Sequence, residues 1–366
     1  MTVFSYFRAQ YLSWSQNIPL PTSLSENVSL SFQSWHEFDT SVGRWRSVPV
    51  SNACIDGDRH QPRYDQESVH KGNLVPVTWN VDSASPSPAS RISAIISNLA
   101  TLAPGVDIIF FQEVSREGLR FLLDDPHIRQ FWYSSEADEV NWLGQSFASM
   151  TLLSKRCFVH TNGPSGVAKP RLGPVWRLKY PSRFGRDALC CDIFLPSPVR
   201  SSSSPVGTSY VRARLANVHL DSLPIQPSRR PQQIAAVASM LQSANRGLVA
   251  GDFNPVLTED ATLISDNHLV DVWLEHHPTE SGYAWGVDGQ QPFPPGRLDK
   301  VALFGLQSRS IEVMHPDVIK RSLQWGESAL DSSGVTEDAR PLQQGEETVS
   351  WSDHSGLRCS FGLISE

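Results

Sequence analysis

The chain has 366 residues, 40% of them hydrophobic and 11 of them tryptophan, a composition typical of a globular protein with a sizeable core. Its 31 basic and 38 acidic residues give a net charge of −7, which argues against a protein that coats nucleic acid by neutralising phosphates. It contains no apolar run of about 18 residues, so we expect no membrane-spanning helix.

The cysteines and the N-terminus bear on the cellular compartment. The five cysteines show no paired metal-ligand spacing, and their odd number predicts reduced thiols in an intracellular protein. Cys190 and Cys191 are adjacent in a strand-like run, so their side chains are expected on opposite faces. Residues 1–20 have no clean apolar segment and no small-residue cleavage site, so we expect no signal peptide.

Residues 1–70 are polar and aromatic by turns and show little periodicity, which predicts an irregular or partly disordered N-terminal arm. From Leu74 onward, strand and helix patterns alternate, which predicts a single α/β domain over residues 71–366. Residues 321–348 are rich in Ser, Gly, Glu and Asp and predict an exposed insertion in that domain.

Apolar runs predict the strands, and apolar residues at i, i+3, i+4 and i+7 predict the helices. The predicted strands are residues 74–79, 106–111, 148–153, 188–195, 211–220, 248–250, 301–304 and 357–361. The predicted helices are residues 91–102, a segment capped by Ser115, and residues 232–241. Residues 196–209, which contain four consecutive serines, predict a hairpin loop.

Polar side chains suited to metal and phosphate chemistry lie at the ends of these apolar runs. They are Asn80, Glu113, His219, Asp221, Asp252, Asn254, Asp299, Asp353 and His354. In α/β folds the strand ends gather at one edge of the sheet, so we expect these side chains to form one site. Their joint pattern predicts metal-assisted phosphodiester hydrolysis.

Two carboxylates are candidate metal ligands. Glu113 directly follows the buried run 106–111, where a carboxylate is costly unless it is paired. Mg²⁺ is a natural partner because it prefers hard oxygen ligands and keeps several waters. Asp353 is the second candidate ligand. An ordinary surface glutamate remains the alternative for Glu113.

The glycine turn at Gly251 is expected to bring Asp252 and Asn254 to one side of the strand end. Asp252 could orient or deprotonate an attacking water, and the amides of Asn80 and Asn254 could hold phosphate oxygens. For Asn80, a turn asparagine is the plain alternative.

Two histidines complete the pattern. His219 could donate to a developing phosphorane oxygen or protonate the leaving group, with a satisfied buried histidine as the alternative. His354 needs a partner to fix its tautomer and favour its cation, and Asp299 is the obvious one.

The order of these motifs resembles the endonuclease/exonuclease/phosphatase superfamily, over about residues 74–363. The resemblance implies an α/β fold of the deoxyribonuclease-I type, a four-layer sandwich of two packed mixed β-sheets flanked by helices. It also implies Mg²⁺-dependent cleavage of a P–O bond, with Mn²⁺ as a possible substitute.

Within the superfamily, several segments look most like the 5′-tyrosyl-DNA phosphodiesterase branch. They are Thr78-Trp79-Asn80, His219-Leu220-Asp221-Ser222, Arg230 with Gln233, Asp271-Val272-Trp273 and Tyr283-Ala284-Trp285. Asp221 stands where the branch has glutamate, and residues 1–70 lack the helical ubiquitin-binding pattern of its human-like members.

The branch resemblance implies removal of tyrosyl adducts from DNA 5′ ends, which act as partners with single-stranded character. By that resemblance Glu113 and Asp353 serve the metal, and the substrate contacts come from Asp221, Trp285, Arg183 and Arg230. Trp285 is a candidate base-stacking surface, with a core tryptophan as the alternative. The DNA substrate that the resemblance implies favours a nuclear location, with the cytoplasm as the alternative, and we expect a monomer without a membrane partner.

Two other functions stay open from the sequence. A phosphodiesterase or nuclease of the same superfamily could act on other DNA, on RNA, or on a small or lipid phosphoester; an apolar docking stretch would favour a lipid, and none is visible. A catalytically silent binding module on the same fold is the second alternative. The presence of Glu113, Asp252, Asp353 and His354 argues against it.

Overall fold

A computed structural model describes residues 18–22, 27–50, 72–142, 144–160, 168–198, 208–325 and 343–364. The strands are β1 (Ser29–Gln33), β2 (Trp35–Asp39), β3 (Arg44–Val48), β4 (Pro76–Asn80), β5 (Ile108–Ser115), β6 (Trp132–Ser134), β7 (Phe147–Ser154), β8 (Arg171–Lys179), β9 (Asp187–Pro198), β10 (Thr208–His219), β11 (Gly247–Asp252), β12 (Val270–Asp271), β13 (Asp299–Phe304), β14 (Gln307–Met314), β15 (Val318–Trp325), β16 (Gln343–Ser350) and β17 (Gly356–Gly362).

The helices are α1 (Pro88–Thr101), α2 (Arg116–Asp124), α3 (Pro126–Phe131), α4 (Arg230–Ser243) and α5 (Val272–His276). Within the described ranges, none of them is both long and apolar enough to cross a membrane. Helix α2 begins where Ser115 accepts a hydrogen bond from the Gly118 amide at 3.1 Å, which confirms the predicted cap.

The strands form two large mixed sheets and a separate hairpin. The first sheet has the order β1-β8-β9-β10-β11-β13-β12, and the second has the order β14-β17-β4-β5-β7-β6-β2-β3. Each contains one parallel pair, β10 with β11 and β4 with β5. These parallel neighbours end together, and their carboxyl ends define one edge of the molecule.

Side-chain alternation builds four layers from the two sheets. Ile108 and Phe110 of β5 pack against the first sheet, whereas Ile109 and Phe111 face the outer helices α1 and α2. Helix α4 covers the outer face of the first sheet. The predicted four-layer α/β sandwich of two packed mixed sheets is therefore confirmed.

Strand β9 shows the same alternation in a single dipeptide. Cys190 packs under α4, and Cys191 packs between the sheets, as predicted for adjacent strand residues. Burial raises the pKa of the Cys190 thiol to about 12, which keeps it protonated at neutral pH. Neither thiol forms a disulfide.

The N-terminal segment differs from the predicted irregular arm. Residues 29–33 pair with β8 at the edge of the first sheet, and residues 35–48 form a hairpin that extends the second. Trp35 is fully buried between the sheets and donates to the Gly173 carbonyl at 3.0 Å. The strands escaped prediction because their alternating polar residues occupy half-buried edges. Residues 1–17, 23–26 and 51–70 of the predicted arm lie outside the described residues.

The predicted insertion at 321–348 is partly a hairpin. Strands β15 and β16 pair over eight residues each, from Val318 with Ser350 to Trp325 with Gln343. This pairing satisfies their backbone hydrogen bonds, and the polar composition of the segment gave no strand pattern in the sequence. The segment between these strands, residues 326–342, lies outside the described residues.

Candidate active site

The two-residue period of the strands aims a set of polar side chains into one end of the inter-sheet layer. On β10, Leu215, Asn217 and His219 follow one another on the inner face, and on β11 Leu248 and Ala250 precede Asp252. The inner face thus changes from apolar to polar at the carboxyl ends of the parallel strands. This is the predicted site edge.

Glu113 reaches the same edge through a β-bulge. Its strand changes register with β7 between Phe111 and Val114, and Glu113 itself has a φ of 57°. In a regular strand the Glu113 side chain would point to the outer face of the sheet, and the bulge turns it towards the site instead. The Glu113 Oε2 accepts from the amide and hydroxyl of Ser83 at 3.1 and 2.7 Å, which holds the carboxylate in place.

The Asp252 carboxylate lies at the centre of the cluster. Its Oδ2 is 3.2 Å from Asn80 Nδ2, 3.5 Å from His219 Nε2 and 4.0 Å from His354 Nε2. The side chain is nearly inaccessible, and burial raises its pKa even though cationic His354 favours its anion. Three nitrogen groups therefore face one oxygen that can accept a proton.

His354 is held as a cation. Its Nδ1 donates to Asp299 Oδ2 at 2.7 Å, and Asp299 is fully buried. Burial alone would lower the pKa of His354, but the Asp299 carboxylate outweighs it and raises the pKa to about 10. The predicted pairing of these two residues is present, and the Nε2–H of His354 points towards Asp252 and Asp353.

His219 is held neutral. Its Nδ1 lies 2.9 Å from an Arg186 nitrogen, and because an arginine can only donate, Nδ1 is the acceptor and Nε2 carries the hydrogen. Burial, reinforced by the Arg186 charge, lowers the pKa of His219 to about 3. This disfavours protonation of a leaving group by His219 and leaves it as a neutral hydrogen-bond donor.

Glu113 and Asp353 are half-buried carboxylates at the site, with 20% and 28% of their side-chain surfaces accessible. Burial raises the pKa of Asp353 although the His354 charge opposes it, and the charges of Asp82 and, to a smaller extent, Glu113 raise it further. Asp353 Oδ2 accepts from the Trp285 indole at 3.0 Å.

This donor set fits a divalent cation with few protein ligands. In the described part of the chain, no group of three or more His, Cys, Asp and Glu side chains has the arrangement of a metal site. Two hard oxygen ligands suit Mg²⁺ or Mn²⁺, which retain water and bind substrate phosphate, better than Zn²⁺, which takes three or four protein ligands.

Arg91 is a positioning residue that the sequence did not single out. Its buried guanidinium donates to carbonyls of Val81, Asp82 and Ser85 at 2.8, 2.6 and 3.1 Å, and to Trp351 at 2.8 Å. It thus joins the loop after Asn80 to the segment before Asp353. Its inward position at the start of a predicted helix was the only sequence signal.

Three predicted substrate contacts have other partners. The Arg230 guanidinium is buried, lies 2.8 Å from Asp260 and donates to the Asp221 carbonyl at 2.7 Å, so its predicted substrate role is wrong. The Asp221 carboxylate is buried and accepts from Ser182 and the Arg183 amide at 2.5 and 2.9 Å, so it holds a loop instead. Arg183 is exposed and joins that loop to the Gln226 carbonyl at 3.3 Å.

Asn254 lies beside the cluster in the left-handed region, with a φ of 47°. Its amide nitrogen is 3.4 Å from the Leu220 carbonyl, and its backbone N–H donates to Asp252 Oδ1 at 3.0 Å. The residue therefore orients the Asp252 carboxylate through its backbone. Trp285, in contrast, is half-exposed beside Asp353, with one ring edge bound and part of the ring open to solvent.

Comparisons with known proteins agree with this architecture. The model of the Endonuclease/Exonuclease/phosphatase family matches residues 77–354. No curated protein matches the chain. Among solved structures, humanized D. rerio TDP2 with 14 mutations has a TM-score of 0.50 at 19% identity, covering 80% of this chain and 99% of that one.

Two further structures show the same coverage at lower scores. D. rerio TDP2 complexed with single strand DNA product has a TM-score of 0.49 at 19% identity, covering 80% of this chain and 99% of that one. An endonuclease/exonuclease/phosphatase family protein from Bacteroides thetaiotaomicron has a TM-score of 0.45 at 12% identity, covering 80% and 98%. Since the family model spans most of the chain, the protein belongs to the endonuclease/exonuclease/phosphatase family and is a metal-dependent phosphodiester hydrolase.

Proposed function

We propose that this enzyme uses Mg²⁺ to remove tyrosyl adducts from DNA 5′ ends that have single-stranded character. The observation that carries the hydrolytic part is the Asp252 oxygen faced by Asn80, His219 and His354 beside two partly accessible carboxylates. The substrate part rests on the resemblance of the segments around His219 and Trp285 to the 5′-tyrosyl-DNA branch.

In this proposal Asp252 orients a water and accepts its proton as the oxygen attacks phosphorus. Burial raises the pKa of Asp252, which makes its carboxylate a better proton acceptor than an ordinary aspartate. The phosphate lies against the Asn80 amide and the His219 Nε2–H, both of which donate to its oxygens. Cationic His354 stabilises the negative charge that grows in the transition state.

The bond to the tyrosine oxygen then breaks, and the phenolate leaves. A phenol has a pKa of about 10, so this leaving group needs less acid assistance than a sugar alcohol. A leaving group that needs little acid assistance suits this site, because His219 is neutral and cannot protonate the leaving group at ordinary pH. A bound Mg²⁺ at Glu113 and Asp353 would supply charge neutralisation for the phosphate and the departing oxygen.

Trp285 would give the enzyme its preference for single-stranded DNA ends. Its ring is half-exposed beside Asp353, and an aromatic face binds an unpaired base with little sequence preference. Exposed Arg183 and half-buried Arg186, which lies beside His219, would attract the phosphate backbone.

A substrate comparison tests the proposal. We expect Mg²⁺-dependent tyrosine release from a 5′-phosphotyrosyl single-stranded oligonucleotide, with kcat/KM at least tenfold higher than for internal cleavage of an unmodified oligonucleotide. EDTA should abolish release, and Mn²⁺ should restore it. Hydrolysis of bis(p-nitrophenyl) phosphate without any tyrosine release would keep the hydrolase and reject the DNA-end substrate.

A further inference from the structure

A second cavity lies on the outer face of the first sheet, across β13 from the site. It has a volume of about 360 Å³ and is bounded by residues 260–265, β12, α5 and β13. Its apolar wall includes Leu263, Ile264 and Leu269, which belong to the core under α4. Lys300 lines the cavity, whereas the preceding Asp299 faces the inter-sheet layer and His354.

Most charges around this cavity are already paired. Arg297 binds both oxygens of Asp271 at 2.8 and 2.9 Å. Asp260 is bound by Arg230 at 2.8 Å and by Ser228 at 2.9 Å. Glu275 lies at the exposed rim and accepts from the neutral Ser308 hydroxyl, so among the described residues its charge has no cationic partner.

Lys300 is different from these groups. Among the residues that the structure describes, its amine has neither a salt bridge nor a side-chain hydrogen bond, although it is half-buried. Burial, with a smaller effect of Arg297, lowers its pKa to about 8 against the opposing charges of Asp271 and Asp299, so it is still mostly protonated at pH 7. A half-buried cation without a directly bonded partner favours an anionic ligand.

We propose that this cavity is a second ligand site that binds a small amphipathic carboxylate, with the carboxylate at Lys300 and the apolar body against Leu263, Ile264 and Leu269. A monoanion matches the single unpaired ammonium group, whereas a phosphate dianion would bring a charge that Arg297, already bound by Asp271, cannot neutralise. The volume lies at the lower end of the range for small-molecule sites, about 300–1,000 Å³.

Calorimetric titration of the full chain with 4-phenylbutyrate and with its uncharged amide tests this site. In the wild type we expect the carboxylate to bind at least tenfold more tightly than the amide. Lys300→Met should remove that preference, and Lys300→Arg should retain it. Lys320→Met is the matched control, because Lys320 is exposed on the hairpin and pairs with Glu346.

Four outcomes would overturn the proposal. Three of them are equal affinity for the two compounds in the wild type, no measurable binding of either, and a preference that survives in Lys300→Met. The fourth is binding that Glu113→Gln removes and Lys300→Met leaves intact, which would assign the compound to the hydrolytic site. Lys300→Gln replaces Lys300→Met where the latter fails to fold.

Discussion

His219 and His354 contact the same carboxylate, yet their other neighbours hold them in opposite charge states. Arg186 donates to the Nδ1 of His219, and burial lowers the pKa of His219 to about 3. Asp299 accepts from the Nδ1 of His354 and raises its pKa to about 10. Environments that push two pKa values apart separate the roles of the two groups. One histidine serves as a neutral donor and the other as a cation.

The His354 pair makes the stability of the metal-free protein depend on pH. Because the folded-state pKa is about 10 and the ordinary value is 6.5, protonated His354 contributes its full stabilisation below pH 6.5 and loses it as pH rises through about 10. Urea unfolding in EDTA should therefore show a wild-type advantage over His354→Gln that is larger at pH 6 than at pH 9.5. Equal differences at both pH values would mean that His354 is not held as a cation.

Glu113 and Glu117 offer a matched pair of substitutions four residues apart. Glu113→Gln removes one of the two partly accessible site carboxylates, and we expect hydrolysis to fall by about two to three orders of magnitude. Glu117 is exposed on α2 and lies outside the cluster, so Glu117→Gln should stay within about twofold of the wild type. Comparable activity of the two variants in steady-state assays would remove Glu113 from the site.

Trp285 combines a ring face with a hydrogen bond, and two substitutions separate these functions. Trp285→Phe keeps an aromatic face but loses the indole donor to Asp353, so we expect a higher Mg²⁺ requirement with little change in KM. Trp285→Ala should also raise KM for single-stranded substrates by the equivalent of about 1–3 kcal/mol. Unchanged KM in Trp285→Ala, together with a lower Tm, would assign the residue to packing.

At the scale of elements, the two sheets are joined by a buried amide bridge just behind the site. Gln112 of β5 donates to Thr78 Oγ1 at 2.9 Å and to Asn217 Oδ1 on β10 at 2.8 Å. The Asn217 amide in turn donates to the carbonyls of Phe111 and Met150 at 3.1 and 3.0 Å. The bridge sets the spacing of the strand ends that carry the catalytic groups, and the bulge at Glu113 begins one residue later.

Gln112→Leu tests that bridge. The substitution leaves Asn217 Oδ1 without its donor in a dry layer, so we expect the free energy of unfolding to fall by about 1–3 kcal/mol. Urea unfolding measures the change. Gln145→Leu is a suitable control, since Gln145 is in a loop and makes an exposed hydrogen bond to Gly185. A Gln112→Leu effect no larger than that of the control would show that the bridge does not join the sheets energetically.

At the scale of the whole molecule, the N-terminal hairpin is part of the folded core. Trp35 fills the inter-sheet layer, so Trp35→Ala should destabilise the protein by about 3–5 kcal/mol. Val42 lies in the exposed turn of the same hairpin, and Val42→Ala should change the free energy of unfolding by less than about 0.5 kcal/mol. Similar unfolding midpoints for the two variants would show that the hairpin only lies on the surface.

Elements that are set by a regular apolar pattern could be predicted from the sequence. Edge strands and features that depend on tertiary contacts could not. The runs that became β5, β10 and β11 are buried on both faces and were recognisable without other information. Strand β8 went unnoticed because Gly173 and Pro174 interrupt it, although the fold accommodates them at an irregularity in its pairing with β9.

The site residues also divide into features that the sequence predicted and features that depend on tertiary contacts. The pairing of Asp299 with His354 followed from chemistry alone. The state of His219 did not, because Arg186 comes from a loop 33 residues earlier in the chain. Arg230 carried a motif resemblance, but its guanidinium is used to join buried backbone and Asp260. A motif identifies a residue without showing which way its side chain faces.

The most direct test of the central claim is single-turnover tyrosine release from a 5′-phosphotyrosyl single-stranded oligonucleotide by wild type and Asp252→Asn in saturating Mg²⁺. Asparagine keeps the shape of Asp252 but cannot accept a proton from water, so release should fall by at least two orders of magnitude while oligonucleotide affinity stays within about threefold. Wild-type release that persists at a similar rate in Asp252→Asn would contradict the account of the site.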